Sequence, residues 1–116
     1  MPYKKNPLKI PPQNLEAEQS VLGSLLIEKN AMYNVADIIG SEDFYKTSHE
    51  KIYESMLDLW SRQEPIDVIS LTSHLKEKGI LKDVGGASYL TELVNLVPSA
   101  AHVVHYATIV KEKKVL

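Results

Sequence analysis

The chain has 116 residues, a formal net charge of −2 and no cysteine. This length suits one small domain with a single core, and a hydrophobic content of 44% argues against a disordered chain. The absence of cysteine excludes disulfides and thiolate metal sites, the slightly acidic balance argues against a stand-alone nucleic-acid binder, and no apolar run reaches the roughly 20 residues of a membrane span.

The first segment, residues 1–13, holds four of the six prolines together with Lys4, Lys5 and Lys9. Proline fixes φ and lacks a backbone donor, so a segment of this composition forms neither helix nor ladder. The composition therefore predicts an extended N-terminal arm.

A first helix is predicted after this arm, with Asn14 as its N-cap. Glu16 and Glu18 lie near its positive end, and side chains two residues apart on a helix point about 200° apart. We interpret them as compensation of the helix dipole rather than as an acid–base pair. Gly23 falls inside the helix, where glycine costs roughly 1 kcal/mol against alanine, and this predicts the close approach of another backbone.

Four further helices are predicted up to Pro98, because apolar residues recur every three or four positions. They are a short helix over 31–39, an amphipathic helix from Thr47 or Ser48 to Glu64, a helix capped by Asp67 and ended by Gly79, and a helix between Gly85–Gly86 and Pro98. Phe44 and Tyr45 are predicted to point back into the core as an anchor. Trp60 and Gly23 are assigned to packing.

Ser99 can cap a last helix. The apolar stripe of this helix is formed by Val103, Tyr106, Ala107 and Val110. No glycine, proline or polar turn follows it, so the sequence looks cut within the helix, and the lysines of Lys111–Leu116 are interpreted as a solvated face. Since no strand pattern competes, five or six helices with short connections predict an all-α bundle.

No catalytic or cofactor motif is recognisable. Gly85–Gly86 lacks the lysine that a phosphate-binding loop requires, which argues against a nucleotide site. His102 and His105 stand one helical turn apart, but two imidazoles without a carboxylate make a poor metal site. His102 and His105 are therefore interpreted as surface or interface residues, and we expect no metal, no cofactor and no catalysis from this segment.

Three stretches carry a resemblance to a known family, namely Ile10–Gly23, Asp43–Tyr45 and Val84–Leu90. In this order they resemble the N-terminal domain of the bacterial replicative DNA helicases of the DnaB type, over nearly the whole chain. The resemblance implies a small orthogonal bundle of five to six helices that ends in the first arm of a truncated helical hairpin. It divides the chain into a flexible arm (1–13), a globular helical head (14–98) and the start of the hairpin (99–116).

In this family the domain forms a collar above the motor ring of a hexamer and docks the C-terminal domain of primase. The resemblance therefore implies primase, other helicase subunits and a helicase loader as partners, at the replication fork in the bacterial cytoplasm. ATP, Mg and ATP-dependent 5′–3′ unwinding belong to the motor domain of the parent, which lies outside this segment. Single-stranded DNA is met only through the parent assembly, and no membrane is involved.

The resemblance also implies a partner interface. The positions that match Glu16 and Tyr89 are implicated in primase docking, although Tyr89 by itself could equally be a residue at the rim of the core. Val103, Tyr106 and Val110 are expected to contact neighbouring subunits, because part of their face would be covered by the missing hairpin arm and is left bare here. We therefore expect this chain to be a monomer or a weak dimer.

Two alternatives stay open from the residues alone. Asp67–Lys78, a turn at Gly79 and a further helix imitate a helix-turn-helix DNA-binding module, but Ala87–Val97 contains no Lys or Arg that could reach base edges or phosphates. The second is an unrelated helical enzyme, which would require a carboxylate or histidine cluster that the sequence does not display.

Overall fold

A computed structural model describes the backbone of residues 12–115 and the side chains of residues 15–112. Over this range the fold is all-α, as predicted, and it contains no strand. The six helices are α1 (Pro12–Ile27), α2 (Ala31–Val35), α3 (Thr47–Ser61), α4 (Val68–Glu77), α5 (Gly86–Leu96) and α6 (Val103–Val115). None of the helices in the described range is long and apolar enough to cross a membrane.

The first helix begins earlier than predicted, at Pro12. Proline is well suited to the first helical position, because its fixed φ is already helical and the N–H that it lacks would have no partner there. Asn14 consequently lies inside α1, so its predicted role as N-cap is wrong, and the predicted arm cannot extend to residue 13. The remainder of that arm, residues 1–11, lies outside the described residues.

α1 is the central helix, and its most extensive contacts are with α6 and α5. Its residues Val21, Leu22 and Leu25 are fully buried. A methyl group added to Gly23 would overlap the carbonyl oxygen of Leu93 on α5 and would lie 3.1 Å from its carbonyl carbon. The predicted close approach of another backbone at Gly23 is therefore confirmed.

The predicted aromatic anchor after α2 is only half correct. Phe44 is buried, and its ring centroid lies 5.0 Å from that of Tyr53. Tyr45, in contrast, is 56% exposed. Phe44 has extended dihedral angles, and in extended backbone successive side chains point to opposite sides. If Phe44 points inward, Tyr45 must point outward. α2 itself ends at Val35, four residues before the predicted end.

The helices α3 and α4 end in the same hydrogen-bonding pattern. At the end of α4 the N–H of Gly79 donates to Lys76 O at 3.0 Å and that of Ile80 to Leu75 O at 3.1 Å, with Gly79 at φ 75° as predicted. This is a Schellman motif, whose left-handed position usually holds glycine. The start of α4 is capped as predicted by Asp67, which accepts a hydrogen bond from the N–H of Ser70 at 2.7 Å.

α3 shows the Schellman motif with a different residue. The N–H of Gln63 donates to Trp60 O at 3.0 Å and that of Glu64 to Leu59 O at 2.8 Å. Gln63 has a φ of 61°, and it is the one non-glycine residue with positive φ in the described part of the chain.

α6 begins at Val103, later than predicted, because Ser99 accepts a hydrogen bond from the N–H of Ala101 at 3.3 Å and shapes a turn instead of capping the helix. Its apolar stripe packs on α1, and Val103, Ala107 and Val110 are 3%, 0% and 1% exposed. The prediction that this face is left bare is wrong for these three residues, because the long α1 already covers them.

Candidate functional site

A buried polar network joins α1, α3 and α5, and it starts at Glu18. This carboxylate is 1% exposed and accepts hydrogen bonds from the backbone N–H of Tyr45 at 2.6 Å and, more weakly, of Lys46 at 3.4 Å. These N–H groups lie at the entry to α3, where helix N–H groups lack intrahelical partners and the dipole is positive. Glu18 thus serves the start of α3 rather than its own helix, and the predicted dipole role is wrong.

The network continues through His49, in the first turn of α3. Its Nδ1 lies 2.7 Å from Glu18 Oε1, and its Nε2 lies 2.6 Å from the Tyr89 hydroxyl oxygen. With the carboxylate as acceptor, Nδ1–H donates to Glu18, and in the neutral imidazole Nε2 then accepts from the Tyr89 hydroxyl. His49 is fully buried, a placement that the sequence did not indicate.

Tyr89 is the end of this network that reaches the surface. Its hydroxyl accepts a hydrogen bond from Gln19 Nε2 at 3.2 Å, and its ring is stacked on that of His49 with centroids 5.9 Å apart. The Lys46 ammonium lies 5.5 Å from the ring centroid, within reach of a cation–π contact. Tyr89 is half-buried, so it is at once a rim residue of the core and a surface residue.

The backbone before Tyr89 is shaped by two glycines. Gly85 has a φ of 108°, and a Cβ there would lie 2.7 Å from Tyr89 Cβ. This close approach fixes the position of Tyr89 at the start of α5.

Glu18, His49 and Tyr89 form a carboxylate–imidazole–hydroxyl series, the cluster that the enzyme alternative would require. It is not suited to catalysis. Burial, together with the charges of Glu92 and Glu18, raises the pKa of the Tyr89 hydroxyl despite the hydrogen bond from Gln19, so the phenol is a poor nucleophile. We therefore interpret the series as a structural connection between three helices.

Metal binding finds no support in the described residues, where no group of three or more His, Asp and Glu side chains could hold an ion. His102 and His105 are exposed, as predicted, and His105 packs edge-on against Tyr106 at a centroid distance of 5.4 Å. His74, in contrast, is buried, and its Nε2 lies 3.3 Å from Asp58 Oδ2.

The structure places only some of the predicted interface residues together. Glu16 is exposed and lies one turn before Gln19, which contacts Tyr89, so Glu16 and Tyr89 border the same surface. We name this the Tyr89 surface and define it by Glu16, Gln19, Lys46, Tyr89 and Glu92. Val103 and Val110 lie in the core between α6 and α1 and cannot belong to it, whereas Tyr106 is half-buried.

A second surface feature, which the sequence did not reveal, lies at the other end of α1 and α3. Tyr33 is 69% exposed, and its ring meets that of Trp60 edge-to-face at 5.5 Å and 81°. The two rings line an open cleft of about 370 Å³. We name it the aromatic cleft; it is lined by Lys29, Asn30, Tyr33, Trp60, Gln63, Glu64, Pro65 and Ile66. Trp60 is therefore not only a packing residue.

Two features bear on the DNA-binding alternative, namely the exposed face of α5 and the position of Lys111. The exposed residues of α5 are Ala87, Ser88, Thr91, Glu92, Asn95 and Leu96. None of these is a cation, so α5 is not suited to be a recognition helix. Lys111, which was interpreted as part of a solvated face, lies 3.4 Å from the buried carboxylate of Asp43 and thus connects α6 to the turn before α3.

Comparison with known proteins agrees with this architecture. The family model described as the DnaB-like helicase N-terminal domain matches residues 10–112. The crystal structure of the N-terminal domain of the DnaB helicase from Mycobacterium tuberculosis superposes with a TM-score of 0.87 at 43% sequence identity, covering 91% of this chain and 77% of that one.

The replicative DNA helicase DnaC of Bacillus subtilis is 46% identical over 108 residues, which are 93% of this chain and 24% of that protein. DnaB of Geobacillus stearothermophilus is 45% identical over 108 residues, which are again 93% of this chain and 24% of that protein. A six-helix domain with these relatives is an N-terminal helicase domain. The chain belongs to the DnaB-like helicase N-terminal domain family, and the resemblance seen in the sequence is confirmed. It spans about a quarter of the length of these two relatives.

Proposed function

We propose that this domain is the non-catalytic collar of a hexameric replicative DNA helicase, in which it associates with neighbouring subunits and docks the C-terminal domain of primase. A helicase loader is a further partner in this proposal. Unwinding, with ATP and Mg, is assigned to the motor domain of the parent. The relatives support this assignment, since those described above are named replicative DNA helicases and are about four times longer than the chain.

The observation that carries the docking proposal is the presentation of Tyr89. A side chain with an apolar ring and a polar tip is typical of the centre of a protein interface. Here its hydroxyl is held by Gln19 and its ring by His49, so binding would cost little side-chain entropy. Exposed charges of both signs, from Glu16, Lys46 and Glu92, border it and supply the polar rim that an interface requires.

Subunit association is proposed for the outer face of α6. Val103 and Val110 support this face from within the core, while Tyr106 and the 44%-exposed Val104 are accessible to a neighbouring subunit. The burial of the inner stripe still favours a monomer or a weak dimer for the chain alone, because these two side chains offer much less than the roughly 1,200 to 2,000 Å² of a stable interface.

The docking proposal is tested by titrating the chain with the C-terminal domain of its cognate primase in a calorimeter. Tyr89→Ala is expected to weaken binding by about tenfold or more. The matched control is Tyr33→Ala, which removes an exposed tyrosine from the opposite end of the head and is expected to leave the affinity unchanged. Equal affinity of Tyr89→Ala and the parent chain, with the helical circular dichroism intact, would refute the proposal.

A further inference from the structure

The aromatic cleft has the chemistry of a site for proline-rich segments. Such segments form an extended helix with three residues per turn, and they bind in grooves lined by aromatic rings that grip the proline ring. The edge-to-face pair of Tyr33 and Trp60, with Pro65 beside it, forms a groove of this kind. Backbone carbonyls of an extended segment have no internal partner, and the Trp60 indole N–H and the Gln63 amide can donate to them.

We propose that this cleft binds the proline- and lysine-rich N-terminal arm, residues 1–11, of a second copy of this chain. The sequence itself supplies such a segment, Met-Pro-Tyr-Lys-Lys-Asn-Pro-Leu-Lys-Ile-Pro, with three prolines and three lysines. The inference does not depend on primase docking, because the cleft and the Tyr89 surface share no residue.

The charges around the cleft are complementary to the arm. Glu64 lines the cleft, and Glu28 and Asp67 line the depression that adjoins it through Lys29, Pro65 and Ile66. Three carboxylates thus face one ammonium, that of Lys29. The arm carries Lys4, Lys5 and Lys9 and no acidic residue, so the two surfaces attract each other.

The length of α1 separates Pro7 and Pro11 of the arm from the cleft of their own chain. α1 has 16 residues and is therefore about 24 Å long. The arm joins its first residue, Pro12, whereas the cleft begins at Lys29, just beyond its last residue. Pro7 lies five residues before Pro12 and can reach at most about 18 Å from it, and Pro11 is nearer still. Pro7 and Pro11 therefore do not reach the cleft of their own chain, so an arm that places these two prolines in a cleft comes from a second copy.

The conformation of Gln63 is an independent indication that this cleft has a use. A side chain at φ 61° costs on the order of 1 kcal/mol, and glycine, which holds the same position at the end of α4, would avoid that cost. A glutamine at this position places an amide on the cleft wall, where glycine would place nothing.

The test uses the fact that Trp60 is the only tryptophan of the chain, so its fluorescence reports on the cleft directly. The intact chain, kept dilute, is titrated with a synthetic peptide of residues 1–11, excited where only tryptophan absorbs. We expect a saturable change in Trp60 emission. A peptide with Pro7→Ala and Pro11→Ala is expected to bind about tenfold more weakly, because it loses the ring contacts but keeps every charge.

A second readout, the anisotropy of the labelled peptide, allows the chain to be varied as well. Tyr33→Ala is expected to lose about tenfold in peptide affinity while its primase affinity is kept, and Tyr89→Ala is expected to show the reverse. The proposal is overturned if the peptide gives no saturable signal, if the proline-free peptide binds as tightly, or if a proline-rich peptide of unrelated, uncharged sequence binds better. The last result would assign the cleft to another protein.

Discussion

The two ends of the α1–α3 pair present aromatic side chains in opposite ways. Toward the start of these helices, His49 holds the Tyr89 hydroxyl at 2.6 Å and is itself held by the buried Glu18 at 2.7 Å. At the other end, about 15 Å along the helices, Tyr33 and Trp60 rest on each other at the surface, and the side-chain hydrogen bonds beside them, from Asn30 N–H to Glu28 and from Ser61 to Asp58 O, are exposed. The first end is held by a buried carboxylate and a buried imidazole, whereas at the second end Tyr33 is 69% exposed.

This difference predicts that the Tyr89 end carries stability as well as recognition, whereas truncation of the exposed Tyr33 in the aromatic cleft costs little stability. A buried polar group that loses its partner costs its full desolvation energy, while an exposed side chain that is removed costs little. Substitutions at the Tyr89 end should therefore lower the free energy of unfolding more than substitutions at the aromatic cleft.

The largest expected effect is that of Glu18→Ala. It removes the acceptor of the Tyr45 N–H and of His49 Nδ1, and the imidazole is left fully buried without that partner. We expect the free energy of unfolding to fall by about 3–5 kcal/mol in urea denaturation. Glu16→Ala, on an exposed position of the same helix, is the control and should change it by no more than about 0.5 kcal/mol. Similar losses for both variants would contradict the network.

Tyr53 lies on α3 between the two ends, and its buried hydroxyl makes the free energy of unfolding depend on pH. Its hydroxyl donates to Ile39 O at 3.0 Å, and burial, with the charges of Asp43 and Glu42, raises its pKa to about 12 from 10.0. A raised pKa stabilises the fold below the unfolded value, and this contribution, of the order of 2 kcal/mol, disappears as the pH rises from 10 through 12. Denaturation across this pH range should show a steeper decline for the parent chain than for Tyr53→Phe.

A smaller effect is expected from deletion of one hydroxyl at each end. Tyr89→Phe leaves His49 Nε2 without its donor and should lower the free energy of unfolding by about 1–2 kcal/mol. Tyr33→Phe, at the exposed end, should leave it unchanged. Thermal melts of the two variants decide this, and a Tyr89→Phe variant as stable as the parent would show that the network is not formed in solution.

The smallest effects concern the two Schellman ends. Gln63→Gly should stabilise the chain by about 0.5–1 kcal/mol, and Gly79→Gln should destabilise it by a similar amount, because both positions have positive φ. The two changes are mirror images at the same backbone position, so chemical denaturation of the pair isolates the cost of a side chain there. Equal signs would contradict the account.

The features that could be predicted from the sequence are those that depend on residues close together in the chain. Asp67 and Gly79 delimit α4 because a cap and a left-handed stop act within a few residues, and Gly23 marks a helix contact because no other residue fits it. The Tyr89 network joins residues that are 31 and 40 positions apart in sequence, and no periodicity brings them together. Likewise, the burial of the α6 stripe depends on the length of α1, and the aromatic cleft on how the end of α2 meets that of α3.

We propose that the C-terminal domain of primase docks at the Tyr89 surface and not at the aromatic cleft. Chemical-shift mapping of the isotope-labelled chain during titration with the C-terminal domain of primase tests it most directly, because both ends are observed in one experiment. We predict that the amide signals of Glu16, Gln19, Lys46 and Tyr89 shift saturably while the indole signal of Trp60 stays in place. Shifts confined to Trp60 and its neighbours would contradict the account.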